Sequence, residues 1–226
     1  MSYHWNSSLL FDYSGALGRG LLVTLLLTGS SIAAGTLAGC PLGVLLATRG
    51  PRLRPLRFLI KAYMAFFGWL PVLVLLVWMY YLLPAAFGYR PSALSVSILA
   101  LSLNLSAFVA DVVRGAIGRV SSEDLDAGRA IGMGPALRLR RIILPEVVRN
   151  SLPALVALYI NQLKWTSLAS VIGVEELMHT ADTIMIHTYR ALEAYTGIAI
   201  IYLGIVGLLN AVYVAIERHP FFQQRR

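Results

Sequence analysis

Charge is scarce in this chain. Only 13% of its 226 residues are Asp, Glu, Lys or Arg, and the mean hydropathy is +0.70, which argues against an ordinary soluble domain of this length. Cysteine is nearly missing. The single Cys40 sits inside an apolar run, so no intrachain disulfide can form and a Cys-based metal site is not expected. No segment alternates apolar and polar residues as an outer-membrane barrel strand does. The N-terminal MSYHWNSSLLFDYSG lacks the basic start of a cleavable signal peptide, so this segment is expected to be retained.

Catalytic motifs are missing as well. The two lysines, Lys61 and Lys164, are followed by Ala62 and Trp165, so no phosphate-cradling Gly-x-x-x-x-Gly-Lys-Ser/Thr loop exists. Neither His-Glu-x-x-His nor Gly-x-Ser-x-Gly occurs. An intramembrane enzyme needs a nucleophile paired with a base, and no such pair stands out. If ATP drives this chain, a separate polypeptide must hydrolyse it.

What the chain does have is long apolar runs. Five reach the roughly 20 residues needed to cross a hydrocarbon core, at about 20–48, 58–83, 91–113, 152–174 and 195–216. The expected fold is an all-α membrane protein of five transmembrane helices, in one domain covering 1–226. An odd number of spans puts the termini on opposite sides. Arg49, Arg52, Arg54, Arg57 and Lys61 follow the first span. Arg114, Arg119, Arg129, Arg138, Arg140, Arg141 and Arg149 surround the third-to-fourth connection, and Arg218, Arg225 and Arg226 follow the fifth. The other side carries only Arg19, Arg90 and Arg190. This bias makes the first side cytoplasmic, with the N-terminus outside and the C-terminus inside. It also accounts for the net charge of +8 without nucleic acid.

Between the third and fourth spans lies SSEDLDAGRAIGMGPALRLRRIILP, 121–145. Ser121 or Ser122 can cap a first helix whose first turn carries Glu123, Asp124 and Asp126. Gly132 can end it in a left-handed conformation, and Gly134-Pro135 can open a second helix. Arg138, Arg140 and Arg141 suit the end of that second helix, which Pro145 is expected to stop. A preformed helical wedge and a plain cytoplasmic loop both fit these signals.

Other features also carry two readings. Gly35, Gly39 and Gly43 make a small-residue ridge, read as packing inside the bundle or against a second subunit ahead of a direct role in the pathway. Gly68 and Pro71 predict a kink in the second span, as plain shape or as the opening of a cavity. Lys164 is costly at a helix centre in lipid, about 2.5–3.5 kcal/mol. It either lines a polar route with Asn161, or snorkels or pairs inside the bundle; Thr166 and Ser167 point elsewhere on the helix. Asp111 and Arg114 are spaced for a local ion pair. Residues 174–194, with Glu175, Glu176, Asp182 and Glu193 against Arg190, fit a short external amphipathic helix against the outer leaflet or a partner. His179 and His187 are too far apart for a metal pair and read as surface residues.

Taken together, these motifs resemble the permease subunits of binding-protein-dependent ABC importers, in the polar amino-acid uptake branch. That family's loop, Glu-Ala-Ala, three residues, Gly, nine residues, Ile-x-Leu-Pro, stands here as Asp126-Ala127-Gly128, Gly132 and Ile142-Ile143-Leu144-Pro145. ADVVRGAIGRV (110–120) is similar to the branch's Ala-Glu-x-x-Arg-Gly segment, and LKWTSLASVIGVEEL (163–177) to its Lys-x-Thr-Ser-Leu-Ala-Ser segment. Thr24, Ser31, Gly35 and Gly43 of the first span and AYTGIAIIY of the fifth also fit, so the likeness covers nearly the whole chain. It implies that 121–145 is the coupling helix region, with Asp126, Ala127, Gly128, Ala130, Gly132, Met133, Gly134, Leu144 and Pro145 meeting a cytoplasmic ATPase. It implies as partners an ABC ATPase dimer that binds ATP and Mg, a second permease (the same or different), an extracytoplasmic solute-binding protein and the lipid bilayer. No cofactor, metal or nucleic acid is expected on this chain, whose implied place is the bacterial cytoplasmic membrane.

One departure concerns the solute. Where the branch carries Arg-Gly-Thr-Pro followed shortly by Gln, this sequence has Gly68-Trp69-Leu70-Pro71 and then Leu75. The candidate substrate pathway is therefore Asn161, Lys164, Thr166, Ser167, Trp69 and Pro71. The solute expected is an amino acid or a related small polar molecule. A permease of another branch, and behind it an ATP-independent channel or secondary transporter, are the alternatives; the halves show no repeat symmetry of the kind such transporters carry.

Overall fold

The structure, a computed structural model, describes residues 5–6, 8–48 and 50–218. Arg49, Arg225 and Arg226 of the charge argument lie outside the described residues. All regular structure among the described residues is helical. In chain order come α1 (Leu9–Asp12), α2 (Ser14–Ala47), a 3-10 turn (Pro51–Leu53), α3 (Arg54–Trp69), α4 (Val72–Phe87) and α5 (Ala93–Gly118). After these stand α6 (Ser122–Ala130), α7 (Pro135–Arg138), a π-helical turn (Leu139–Ile143) and α8 (Leu144–Trp165). A 3-10 segment (Thr166–Ile172), α9 (Leu177–Thr188) and α10 (Ala191–Glu217) complete the chain.

Four stretches are long and apolar enough to cross a membrane unaided: Ser14–Ala47, Ala93–Gly118, Pro135–Ile172 and Ala191–Glu217. A fifth crossing exists only if α3 and α4 are counted as one broken span. The expected second span was one kinked rod over 58–83. The helix instead stops after Trp69, with Leu70 (ψ 132°) and Pro71 (ψ 132°) extended, and restarts at Val72. Proline cannot donate to the ladder, and it drives the residue before it out of the α region. The same logic fails at Pro145, which does not end a helix. Arg138, Leu139 and Leu144 all keep right-handed helical torsions, so helical backbone continues from Pro135 into α8. The π-turn just upstream shifts the hydrogen-bond register there, which lets a residue without an N–H be absorbed. Arg138, Arg140 and Arg141 consequently lie within a continuing helix, not at an end.

The chain divides into two compact units. The first comprises 1–32, 71–101 and 160–226. Its core gathers Leu9, Leu17, Leu177, Ala181, Ile184, Ala194 and Ile198, with Leu10 and Tyr202 packed against them. The apolar face of α9 is therefore covered by its own chain, not by the outer leaflet or a partner, which corrects the sequence expectation for 174–194. Polar contacts hold this unit in register. The Leu177 N–H donates to Thr24 Oγ1 at 3.1 Å. The fully buried Gln162 donates through Nε2 to Ser31 Oγ at 3.0 Å and to the Leu101 carbonyl at 3.3 Å.

The second unit comprises 33–70 and 102–159. Here the glycine ridge of α2 lies on α5. A Cβ built on Gly39 would come within 2.7 Å of the Ser106 carbonyl oxygen, and one on Gly43 within 2.6 Å of that of Ala110. Backbone meets backbone, so of the two packing partners considered the bundle interior is the one found. The broken end of α3 is satisfied from α5: Asn104 Nδ2 donates to the Phe67 carbonyl at 2.6 Å, and Tyr63 Oη shares a 2.6 Å hydrogen bond with Ser106 Oγ. Past the end of α2, Arg57 donates to the carbonyls of Thr48 (2.5 Å) and Gly50 (2.9 Å), which ties α3 to the connection before it.

Candidate functional site

The 121–145 segment folds as the short helix α6 and, across a sharp turn, the start of the helical backbone that runs from Pro135 into α8. Ser121 is the cap: its Oγ accepts from the N–H groups of Glu123 (3.1 Å) and Asp124 (3.4 Å). Glu123 and Asp124 occupy the first turn, where the helix dipole favours negative charge. At the other end Gly132 takes φ +78°. The Met133 N–H reaches back to the Gly128 carbonyl (2.9 Å) and the Gly132 N–H to that of Arg129 (3.0 Å). That pair of bonds is a Schellman closure, and it accounts for a glycine at this place. Gly134 then stands extended as N-cap with Pro135 opening α7.

Gly128 is the hinge of the packing. It is the one buried residue of α6, and a Cβ there would lie 2.8 Å from Ile142 Cδ1 and 3.4 Å from Arg138 Cγ. The two arms of the wedge therefore touch through a residue with no side chain. Asp126 and Arg129 form an exposed ion pair at 2.5 Å, of the kind worth about 0–1 kcal/mol. Ala127, Ala130, Gly132, Gly134 and Leu144 are exposed, and Met133 and Pro145 are half-buried. Ile131, Leu137 and Leu139 present large apolar side chains outward, at 73%, 45% and 55% exposure. The segment is thus a capped knob with an exposed apolar tip.

The candidate pathway residues are dispersed. Lys164 and Ser167 line one cavity of the first unit, about 360 Å³, together with Ala199, Tyr202, Leu203 and Val206. Asn161 and Pro71 are exposed. Thr166 is fully buried, donates to the Leu163 carbonyl at 2.7 Å and is not among the residues that line that cavity. Trp69, in the second unit, is 85% exposed. Leu75, standing where the branch carries Gln, is completely buried, so that place is packing in this chain.

Sequence reasoning missed three polar groups. Gln162 neighbours Asn161 but faces the core, a helical-phase distinction that Lys164 two residues on could have given. Glu176 and Glu193, counted only as part of an acidic external segment, are buried at 0% and 1% exposure. Glu193 pairs with Arg190 at 2.8 Å and accepts from the Asn6 N–H at 3.1 Å. Glu176 accepts from the His179 N–H (2.8 Å) and Tyr202 Oη (3.1 Å). Burial pushes the Glu176 carboxyl above its ordinary value, against these hydrogen bonds, which pull it down. Among the described residues no group of three His, Cys, Asp or Glu could hold a metal ion.

Residues 39–220 match the family of binding-protein-dependent transport system inner membrane components. Among curated proteins the chain is 32% identical, over 91% of its length and 87% of the relative's, to the probable amino-acid ABC transporter permease protein y4tF of Sinorhizobium fredii. It is 33% identical, over 66% of its length and 68% of the relative's, to the glutamine transport system permease protein GlnP of Escherichia coli. Among solved structures, the crystal structure of an amino acid ABC transporter with histidines superposes with a TM-score of 0.86 at 30% identity, covering 96% of this chain and 99% of that one. The family match spans most of the sequence, the relatives are amino-acid permeases, and the apolar helices are those of a multi-pass membrane protein. The chain therefore belongs to the binding-protein-dependent inner membrane components, as a permease subunit of an ABC importer of the polar amino-acid type.

Proposed function

We propose that this permease imports an amino acid or a related small polar solute across the bacterial cytoplasmic membrane. The solute is handed over outside by a solute-binding protein, and import is driven by ATP that a separate cytoplasmic ATPase dimer hydrolyses with Mg. The chain acts as one transmembrane domain, 1–226, beside a second permease subunit. Its N-terminus is outside, its C-terminus is cytoplasmic, and α3–α4 makes a broken fifth crossing. The observation that carries the reading is the 121–145 wedge, with its Ser121 cap, Schellman turn at Gly132 and exposed apolar tip. On this account the wedge is the coupling element. Asp126, Ala127, Gly128 and Ala130 form its first arm, Gly132, Met133 and Gly134 its turn, and Leu144 and Pro145 the root of its second. Closure of the ATPases moves the wedge, and the permease pair alternates between inward-open and outward-open states, two sites and two states that make the coupling allosteric.

The solute route runs past Lys164, Ser167 and Asn161 in this reading, with Trp69 and Pro71 at the break between α3 and α4. Because Gly68-Trp69-Leu70-Pro71 and Leu75 replace the branch's usual residues, the subunit is either one half of an unequal pair or takes an unusual solute. Gly132→Arg tests the core of the proposal. Open space surrounds Gly132, so the variant inserts and assembles, while the positive φ and the new charge spoil the tip. Uptake into vesicles and solute-stimulated ATP hydrolysis both fall to background; wild-type rates for both would remove the coupling assignment.

A further inference from the structure

The end of α3 lacks one particular backbone donor. In an α-helix the carbonyl of residue i accepts from the N–H of residue i+4. The Phe66 carbonyl has that partner, the Leu70 N–H at 3.4 Å. The next carbonyl, that of Phe67, would need the N–H of residue 71, which is Pro71 and has none. Within a membrane no water makes up the loss, so a neighbouring helix must supply the donor. Asn104 of α5 does so: its Nδ2 donates to the Phe67 carbonyl at 2.6 Å. Tyr63, one turn before Phe67, makes a bond of a different kind. Its Oη meets Ser106 Oγ at 2.6 Å and the Leu103 carbonyl at 3.1 Å, which joins α3 to α5 and leaves the α3 carbonyls untouched.

Little else favours an asparagine at this place. Asn104 is 1% exposed in an apolar helix. Its Oδ1 is one of two buried side-chain oxygens with no hydrogen-bond partner among the described residues. An orphan of that kind opposes folding, so the gain lies in the donor. We propose that Asn104 is a positioning residue of the solute route: its carboxamide stands in for the N–H that Pro71 lacks, and so fixes where α3 ends and where Trp69, Leu70 and Pro71 stand. This rests on the route reading above, in which Trp69 and Pro71 lie at the break, and it gives Asn104 no contact with the solute.

The test is uptake by membrane vesicles that hold the whole importer with its binding protein. The probe is whichever of the twenty radiolabelled L-amino acids the wild type takes up fastest. Asn104→Leu closely matches the size of the side chain and removes the donor. It raises the apparent KM about tenfold, the size of one lost hydrogen bond, with the maximal rate unchanged. On a Pro71→Ala background, where residue 71 supplies its own N–H, the same substitution leaves KM unmoved, and that suppression separates a stand-in donor from plain packing. Tyr63→Phe lowers the melting temperature and leaves KM where it was. If Asn104→Leu does not assemble, Asn104→Ala is measured in its place, with the same rise expected. An equal rise with and without Pro71, or an equal rise in Tyr63→Phe, overturns the positioning role, as does a lower melting temperature with KM unchanged. Trp69→Ala tells the two readings apart. A KM that moves in Trp69→Ala alone leaves the route standing and removes Asn104 from it, and one that moves in neither removes both. A wild type that takes up none of the twenty removes the amino-acid reading and this inference with it.

Discussion

Glu176 is a fully buried carboxyl at the start of α9 that accepts from Tyr202 of α10, and its burial has a thermodynamic sign. A raised value means that the folded chain holds this proton more tightly than the unfolded chain does. Its contribution to stability is therefore full below the ordinary carboxylate value of 4.5 and is lost as pH rises through the raised one. Glu176→Gln keeps the shape and one acceptor while removing the titration. Thermal melting of the detergent-solubilised protein, wild type minus Glu176→Gln, should decline as pH rises above that range; a difference independent of pH would contradict it. Gly132 is the second residue whose place is set by one torsion. Gly132→Ala forces a side chain into the left-handed region at about 1–2 kcal/mol and lowers the melting temperature even though nothing surrounds it. Lys164→Met removes a charge that lines the first unit's cavity. It should change the rate or solute preference of vesicle uptake while the subunits still co-purify, and unchanged kinetics would count against a pathway role.

At the level of elements, the contact of α2 with α5 separates two kinds of glycine. Gly39→Ala must push Val109 and the Ser106 backbone of α5 away from α2, an overpacking of about 1–3 kcal/mol. Gly29→Ala, in the same helix with nothing within 4 Å, should be neutral or stabilising by about 0.5–1 kcal/mol. Comparing the two melting temperatures separates packing from propensity. The ridge glycines Gly35, Gly39 and Gly43 were legible in the sequence because a four-residue spacing of small residues lines up on one helix face, where backbones can approach closely. The cap at Ser121 and the turn at Gly132 were legible because each satisfies backbone groups through its neighbours in the chain. Pro71 was legible as the place where the rod bends but not as a full break, and Pro145 was not legible. A proline breaks one helix and is absorbed in another according to the register around it, and the π-turn that absorbs Pro145 leaves no mark in the pattern of side chains. Nor was the burial of Glu176 and Glu193, since their partners Tyr202 and Asn6 lie 26 and 187 residues away. Composition places acids on surfaces; only tertiary contact moves them inside.

For the whole molecule, the outward faces of α8 and α10 matter more than any cavity. In the most apolar windows of Pro135–Ile172, which contains α8, and of α10 only 6% of residues are buried within the chain, against 67% for α5. These faces are left to lipid or to a second permease subunit, as a polytopic subunit requires. The proposed orientation gives this arrangement its function, because a wedge can meet a cytoplasmic ATPase only from the cytoplasmic side. One labelling experiment reads that directly. With Cys40 replaced by Ala and Asp124→Cys placed on the exposed first turn of α6, a membrane-impermeant maleimide is added to intact cells and to permeabilised ones. Labelling only after permeabilisation is the result predicted; labelling in intact cells would put the wedge outside and contradict the account.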